Sequence, residues 1–283
     1  GGHGHCFPGA ITPFGGIQLS PDNPRSSWDW CSGYHYSDSI ICSFSHTHLS
    51  GTGIGDLQDI RFLPVITRPD SNQSPIDYIQ QNYARFSHEN EQAEPGYYSV
   101  VFDNGIKTEL SVTARCGFHY YQYPPNQING LTIDLATARN WDRTTETSIR
   151  KINNRTLEGF RKSRGWANDQ RVYFVVEFSQ DCEVWAGKDK FKPLAYNALG
   201  GKNGAVIVYN YETGEILAKV SISSANTDGA MANLEKELPH WSFDKVKRDA
   251  KHEWKRELSA IRVESKNEDL LKVFYTALYH AYT

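Results

Sequence analysis

The sequence predicts a mostly β protein, an antiparallel β-sandwich followed by helices. Short apolar or alternating segments recur every 8 to 15 residues between about residues 57 and 223. Turn residues separate these segments, and no helical pattern lies between them. Strands that follow one another without crossover helices are typical of antiparallel sandwiches. Apolar residues at the spacing of an α-helix begin only at about Thr227. We therefore expect a sandwich domain over residues 1–226 and a helical region over residues 227–283.

The first 56 residues are rich in Gly, Pro, Ser, His and Trp. Two short apolar runs stand out in this part, Gly16–Leu19 and Ile40–Phe44. We predict that both form short strands, and that long loops connect them.

The clearest strand signal is a hairpin. Alternating apolar and β-branched residues over Tyr97–Phe102 and Ile106–Ala114 flank Asp103-Asn104-Gly105. An Asn-Gly turn supplies the positive φ angles that tight hairpins require. We predict further strands at residues 60–65, 118–123, 130–136, 147–152, 156–160, 171–178, 204–211 and 215–223, with turns at Asn153-Asn154 and Glu212-Thr213-Gly214.

Three helices are predicted after the strands. The first covers Asp228–Leu238 and ends before Pro239. The second covers Phe243–Leu258, with Ser242 as its cap and an incomplete capping box because Lys245 stands where Glu is favoured. The third opens at Asn267 or Glu268. Its apolar side continues up to the last residues, so we expect more helices to follow; that side carries Leu270, Leu271, Phe274, Leu278 and Tyr282.

Charge and composition exclude several classes of function. The net charge is −3, and no block of five or more like charges occurs, so neither a nucleic-acid partner nor an anionic membrane surface is indicated. The sequence has no run of about 18 apolar residues, so we expect no membrane span. Its 5 cysteines are scattered and odd in number, which leaves their disulfide state and the redox compartment open.

The densest cluster of reactive side chains lies near the start. His3, His5 and Cys6 fall within four positions, and His46 and His48 offer further imidazoles. These could supply a zinc site, although none of the spacings typical of zinc motifs is present. The alternative is a hydrogen-bonded loop packed at an interface.

The segment Trp28–Tyr36 has two interpretations. Its aromatic residues could be core packing, or Trp28 and Trp30 could form a platform for a sugar ring. The Gly-rich stretch Phe44–Asp56 lacks G-K-[ST] and the setting of a dinucleotide site, so it does not indicate phosphate binding. The sequence also contains no G-x-S-x-G nucleophile motif.

Several of these segments together resemble glycoside hydrolase family 92, the bacterial exo-acting α-mannosidases. The resemblance covers the chain in order and is specific because the motifs are long. It is carried by His3-Gly4-His5-Cys6-Phe7-Pro8-Gly9-Ala10, Pro13-Phe14-Gly15, Gln18-Leu19-Ser20-Pro21-Asp22, Trp28-Asp29-Trp30-Cys31-Ser32-Gly33-Tyr34-His35-Tyr36-Ser37-Asp38, Phe44-Ser45-His46-Thr47-His48-Leu49-Ser50-Gly51-Thr52-Gly53 and Phe274-Tyr275-Thr276-Ala277-Leu278-Tyr279-His280.

The resemblance implies a β-sandwich, linker helices and a catalytic α/α barrel that begins within residues 227–283. It implies a single-step inverting reaction with a general acid, a general base and a calcium ion, all held mainly by barrel residues beyond Thr283. It implies no metal ligand and no catalytic carboxylate in this chain. The N-terminal domain would contribute part of the substrate wall, from Trp28, Trp30, His5, Cys6 and His46, with Trp28 against the leaving-group sugar.

The implied partners are a mannose-containing oligosaccharide and the protein's own barrel domain. The implied substrates are N-glycans or mannans with terminal α-mannose, α-1,2-linked in particular. The implied location is periplasmic, at the cell surface or secreted. A non-catalytic carbohydrate-binding sandwich is the alternative function. It would end in a cap or linker, whereas here the apolar side of the third helix is still in progress at Thr283.

Overall fold

The computed structural model describes residues 3–70, 72–139, 141–187, 189–194, 197–199, 204–209 and 214–283. Strands are the predominant regular structure of the first 223 residues, and helices follow. The strands are β1 Ser20–Asp22, β2 Ile40–Ile41, β3 Ser43–Ser45, β4 Arg61–Val65, β5 Ala84–Glu94, β6 Tyr97–Phe102, β7 Lys107–Val112, β8 Cys116–Gln122, β9 Asn129–Asp134, β10 Arg143–Lys151, β11 Thr156–Arg164, β12 Gln170–Phe178, β13 Cys182–Gly187, β14 Lys192–Pro193, β15 Asn197–Leu199, β16 Gly204–Tyr209 and β17 Glu215–Ser223. The helices are α1 Pro75–Gln81, α2 Thr227–Glu237, α3 Phe243–Leu258 and α4 Glu268–Ala281.

The strands form two antiparallel sheets. The seven-stranded sheet has the order β1-β3-β4-β9-β16-β13-β14, and the ten-stranded sheet has the order β15-β10-β11-β12-β17-β8-β7-β6-β5-β2. In the larger sheet β17 lies between β12 and β8 and pairs with both. The predicted fold class, an antiparallel sandwich followed by helices, is confirmed.

One continuous apolar core lies between the sheets. Phe62 and Ile133 enter it from the smaller sheet, and Leu110 and Phe174 enter it from the larger one, all with no exposed surface. Phe44 of β3 packs 6.1 Å from the ring of Tyr98 on β6, which joins the two layers. Burying aromatic and aliphatic side chains of this size supplies the main favourable free energy of folding.

The predicted hairpin is confirmed as β6 and β7. Its turn is closed by hydrogen bonds from the Phe102 amide to the Ile106 carbonyl, at 2.9 Å, and from the Gly105 amide to the Phe102 carbonyl, at 2.8 Å. Gly105 has a φ of 85°, the conformation that the Asn-Gly signal predicts. The second strand ends at Val112 rather than at Ala114.

The short N-terminal strands differ from the prediction. Residues 16–19 form no strand, and Leu19 makes only an isolated bridge to Ala10, while β1 begins at Ser20. The single strand predicted over residues 40–44 is two strands in different sheets: β2 pairs with β5, and β3 pairs with β1 and β4. The chain therefore crosses between layers at Cys42.

Strands β5, β13, β14 and β15 and helix α1 were not predicted from the sequence. Strand β5 is polar along most of its length and is irregular between Phe86 and Glu91, so it lacks a strict alternation. Helix α1 is short, but Ser74 caps it by accepting from the Asp77 amide, and Pro75 occupies its first position. Of the strand and turn predicted over residues 204–214, residues 210–213 lie outside the described part of the chain.

The helices begin and end close to the predicted positions. Helix α2 packs on the outer face of the larger sheet through Ala230 and Leu234. Ser242 occupies the N-cap of α3 but makes no side-chain capping bond, in line with the incomplete capping box. No helix among the described residues has the length and apolar character needed to cross a bilayer. The cysteines, all described, are free thiols: Cys6, Cys31, Cys42, Cys116 and Cys182.

Candidate functional site

The N-terminal loop is tied to the segment that carries Trp28. The Gly4 amide donates to the Asp29 carbonyl at 2.8 Å, and the Gly4 carbonyl accepts from the Ser32 hydroxyl at 2.7 Å. A Cβ on Gly4 would lie 2.2 Å from the Tyr34 carbonyl oxygen. Only glycine allows this approach, so the close packing of the loop on the aromatic segment depends on Gly4 having no side chain.

The Trp28 ring is exposed but held in one orientation. It lies in a 3-10 turn over Trp28–Trp30 and is 56% exposed. The His5 ring meets it edge-on, with centroids 5.0 Å apart and planes at 85°. Gly53, at a φ of 68°, lies beneath the indole so closely that a Cβ there would come within 2.6 Å of it. The sequence-predicted pair of His5 and Trp28 is therefore brought together.

A cavity of about 270 Å³ opens beside Trp28. A second tryptophan, Trp141, which is 61% exposed, lines the same cavity although it is far away in the sequence. None of the lining residues carries a charge: Ser26, Ser27, Trp28, Cys31, Gly53, Gly55 and Trp141. The sequence interpretation missed Trp141, because it stands just before the alternating pattern of β10 and cannot be assigned to a face of the sheet.

Trp30 lies differently from Trp28. Its ring is buried, stacks on His35 with centroids 4.5 Å apart, and has the Arg25 guanidinium 4.7 Å from its centroid. Trp30 is not among the residues that line the cavity. Of the two tryptophans predicted as a sugar platform, only Trp28 has an exposed ring face that a sugar could contact.

The rest of the N-terminal loop supports this wall. The His5 carbonyl accepts from the Gly51 amide at 2.7 Å, which fixes the loop against the Gly-rich stretch. Cys6 is half-buried and lies outside the cavity lining. Its predicted contact with substrate stays a prediction.

His46 does not fit the predicted substrate wall. Its side chain has no exposed surface. Its Nδ1 contacts the Ile60 carbonyl, its Nε2 lies 3.0 Å from the Nε2 of His119, and the Nδ1 of His119 lies 2.8 Å from the Tyr121 hydroxyl. We assign His46, the residue that follows β3, to the core of the sandwich, because its buried side chain lies where a sugar cannot reach it.

This histidine pair is neutral. Burial lowers the pKa of His46 to about 4 and the pKa of His119 well below its ordinary value. We assign the protons from the partners: His46 donates Nδ1–H to the Ile60 carbonyl, so His119 must donate Nε2–H to His46. The remaining Nδ1 of His119 then accepts from the Tyr121 hydroxyl, and every ring nitrogen has a partner.

His48 is also buried, in a separate polar cluster. Its Nδ1 lies 2.8 Å from the Gln18 carbonyl, and its Nε2 lies 2.9 Å from an Asp22 carboxylate oxygen. Burial acts to raise the pKa of Asp22, but the hydrogen bond and charge of His48, the charge of Arg61 and the hydrogen bond from Ser43 together outweigh it, and the pKa is lowered. Ser43 and Ser45 also donate to this carboxylate, so the cluster is saturated by its own members.

The zinc interpretation has no support from this arrangement. His46 and His48 are committed to different buried partners, while the His3 Nδ1 faces an Asp29 carboxylate oxygen at the surface. Within the described part of the chain, no group of three or more His, Cys, Asp or Glu side chains could hold a metal ion.

The comparisons with known proteins agree with this architecture. The model of the glycosyl hydrolase family 92 N-terminal domain matches residues 1–223, and the model of the family 92 catalytic domain matches residues 229–283. A family 92 α-mannosidase of Bacteroides thetaiotaomicron, solved in complex with mannoimidazole, is 34% identical. It superposes with a TM-score of 0.89 over 99% of this chain and 38% of its own.

Two further proteins are more distant. An inverting family 92 mannosidase, also from Bacteroides thetaiotaomicron, is 23% identical with a TM-score of 0.84 over 99% of this chain and 37% of its own, and it supports the fold. An uncharacterized secreted glycosidase of Arthroderma benhamiae is 26% identical over 98% of this chain and 39% of its own. The chain thus spans about two fifths of the length of these relatives. Because the family model covers most of it, the chain belongs to glycosyl hydrolase family 92.

Proposed function

We propose that this chain is the N-terminal part of a calcium-dependent, inverting exo-α-mannosidase. The observation that carries the proposal is the alignment of 99% of the chain with an α-mannosidase at 34% identity and a TM-score of 0.89. The exposed Trp28 face beside a cavity lined without charge supports a neutral sugar as the ligand. Terminal α-1,2-linked mannose of N-glycans or mannans is the first substrate to test.

In the proposed reaction a carboxylic acid protonates the leaving oxygen, and a carboxylate activates a water on the opposite face of the sugar. We place both groups on catalytic-domain residues outside this chain. The residues of this chain act on the other side of the scissile bond. Trp28, fixed between His5 and Gly53, orients the leaving-group sugar by contact with its apolar face.

Calcium is assigned to the catalytic domain. Calcium takes six to eight oxygen ligands, several of them carboxylates. The acidic side chains nearest the cavity do not fit this requirement: Asp29 faces His3, and Asp56 accepts from the amides of Leu57 and Trp166. In the proposed mechanism, the described residues of this chain therefore hold no calcium.

We also propose that the protein acts outside the cytoplasm, in the periplasm, at the cell surface or in the medium. The glycosidase of Arthroderma benhamiae, which aligns with 98% of this chain, is described as secreted. Polymeric glycans, the proposed substrates, also occur outside the cell, where an exported enzyme would reach them.

Mannose release tests this function directly. The chain joined to a complete catalytic domain should hydrolyse α-mannobiose, should lose this activity in chelator, and should recover it with calcium. Inversion predicts β-mannose as the first product, which proton NMR distinguishes from α-mannose within minutes. The 283-residue chain alone serves as the control and should release no mannose. Calcium-stimulated release by that chain alone would contradict the placement of the catalytic groups.

A further inference from the structure

Two exposed tryptophans face one small cavity. Trp28 is 56% and Trp141 is 61% exposed, and both line the cavity of about 270 Å³. An indole buries a large apolar area when it is covered, so leaving two of them in water next to each other is costly unless a ligand or partner covers them. The proposed contact of Trp28 with the leaving-group sugar does not explain why the Trp141 ring is also exposed at this cavity.

Trp141 is built on a rigid support. Its amide donates to the Gly55 carbonyl at 3.0 Å, so it is attached to the same Gly-rich loop that carries Gly53 beneath Trp28. The next residue, Asp142, is buried and pairs with the Arg161 guanidinium, whose other side pairs with Asp59. Because this ion network lies in the interior, the backbone at Trp141 is fixed before any ligand arrives.

The chemistry of the lining suits a neutral, hydroxyl-bearing ligand. Its polar groups are the hydroxyls of Ser26 and Ser27 and the backbone of Gly53 and Gly55, and no charged side chain takes part. A cavity of this volume is at the lower limit for a small-molecule site and accommodates a single ring rather than an oligosaccharide. Aromatic walls with hydroxyl partners at the edge fit a pyranose, whose C–H faces are apolar and whose rim is polar.

We infer that Trp141 forms a second sugar-binding wall. The one ring that the cavity accommodates is the sugar one unit beyond the leaving-group sugar, and the leaving-group sugar itself covers the exposed face of Trp28 outside the cavity. This inference rests on the proposed function and adds a substrate class to it: oligosaccharides with at least two sugar units on the leaving-group side of the scissile bond. Trp141 is a specificity-determining residue in this arrangement and takes no part in bond cleavage.

The test compares substrates of increasing length in the chain joined to a complete catalytic domain. Trp141→Ala should lower kcat/KM on α-mannotriose by about 5- to 150-fold, using the range known for stacking of nucleic-acid bases on aromatic side chains by analogy. It should change the value for an aryl α-mannoside less than about twofold, since that substrate has no second sugar. Trp141→Phe should recover part of the loss.

Trp166 provides the matched control. It is 65% exposed and its amide donates to Asp56 of the same loop at 2.7 Å, but it does not line the cavity. Trp166→Ala should therefore leave kcat/KM on both substrates unchanged. A loss in Trp141→Ala that is equal for the trisaccharide and the aryl mannoside would assign Trp141 to domain packing and overturn the inference.

A binding measurement separates this inference from the proposed function. The 283-residue chain is titrated with α-mannotriose and followed by tryptophan fluorescence. The signal should be lost in Trp141→Ala and kept in Trp166→Ala, whether or not any mannoside is hydrolysed. Hydrolysis without a length-dependent effect of Trp141→Ala overturns the inference alone, and absence of hydrolysis in the complete enzyme overturns the proposed function alone.

Discussion

Helices α3 and α4 follow each other in the sequence and carry similar amphipathic patterns, yet their environments differ. Helix α3 buries Phe243, Val246, Ala250 and Trp254 against the larger sheet and the N-terminal loop. Helix α4 buries no residue, and its Leu270 and Val273 are 61% and 65% exposed. An apolar stripe shows which face of a helix is buried when it packs, but it does not identify the element that packs against it.

The contacts of α4 explain this difference. The bonds and ring contacts of α4 with the rest of the chain lie in its second half: the Tyr275 hydroxyl donates to the Ile261 carbonyl at 3.3 Å, and Tyr279 packs on Trp254 with centroids 4.4 Å apart. Just past the helix, the Tyr282 carbonyl accepts from the Phe14 amide at 2.9 Å. Residues 229–283 match the catalytic-domain model, which is consistent with α4 packing against more of that domain.

Trp254→Ala should produce the largest effect on stability. The ring is 1% exposed, and its Nε1–H donates to the Ile11 carbonyl at 2.6 Å, so the substitution leaves a cavity and an unpaired carbonyl. Truncating a buried tryptophan typically costs about 3–5 kcal/mol. Urea unfolding of the 283-residue chain measures the change. A loss below about 1 kcal/mol would show that α3 is as loosely held as α4.

Acid should weaken the sandwich before its carboxylates titrate. His46 has its folded pKa lowered to about 4 from an ordinary 6.5, so the unfolded chain binds the proton more strongly. The stabilisation is complete above pH 6.5 and declines as the pH falls toward 4. Between pH 6.5 and pH 5 we expect a loss of about 2 kcal/mol from His46, at roughly 1.4 kcal/mol per pH unit.

Urea unfolding at several pH values measures this slope, and NMR of the His46 ring reports its protonation state. A free energy of unfolding that stays constant between pH 6.5 and pH 5 would contradict the buried neutral pair. Because α4 lacks this pair, its helical signal should not follow the same slope.

A matched pair of valines gives the smallest effect and the closest comparison. Val246 on α3 is 3% exposed, whereas Val273 on α4 is 65% exposed. Val246→Ala should cost about 1–2.5 kcal/mol because two buried methyl groups are lost and a cavity remains. Val273→Ala should change the free energy of unfolding by less than about 0.5 kcal/mol. Equal costs would mean that another chain covers α4 in solution.

Most of the fold could be predicted because its signals are local. The hairpin at residues 97–112 has its own turn chemistry, and α3 has its own apolar stripe, so both were found. Strand β5 could not be found in this way, because its pairing with β6 and β2 compensates for a polar sequence. The sequence of residues 40–44 predicts one strand, and only the packing of the two sheets against each other divides this segment into β2 and β3.

The candidate site was predicted only in part, for a similar reason. Trp28 lies in a segment with a recognisable motif, whereas Trp141 reaches the same cavity only through the bond of its amide to Gly55. His46 lies in an equally recognisable motif but points into the core. A motif identifies which segment is constrained, but the packing of the folded chain decides which of its side chains face a ligand.

The position of β17 has a consequence for how the protein forms during synthesis. This strand, residues 215–223, joins the block β10–β12 to the block β5–β8, so the larger sheet has a gap until it arrives. A ribosome that adds about 5–20 residues per second leaves the edges of β8 and β12 unpaired for several seconds after they emerge. Open strand edges invite pairing with other chains. The nascent protein should therefore depend on chaperones until residue 223 leaves the exit tunnel, and a ribosome stalled before that point should carry an aggregation-prone chain.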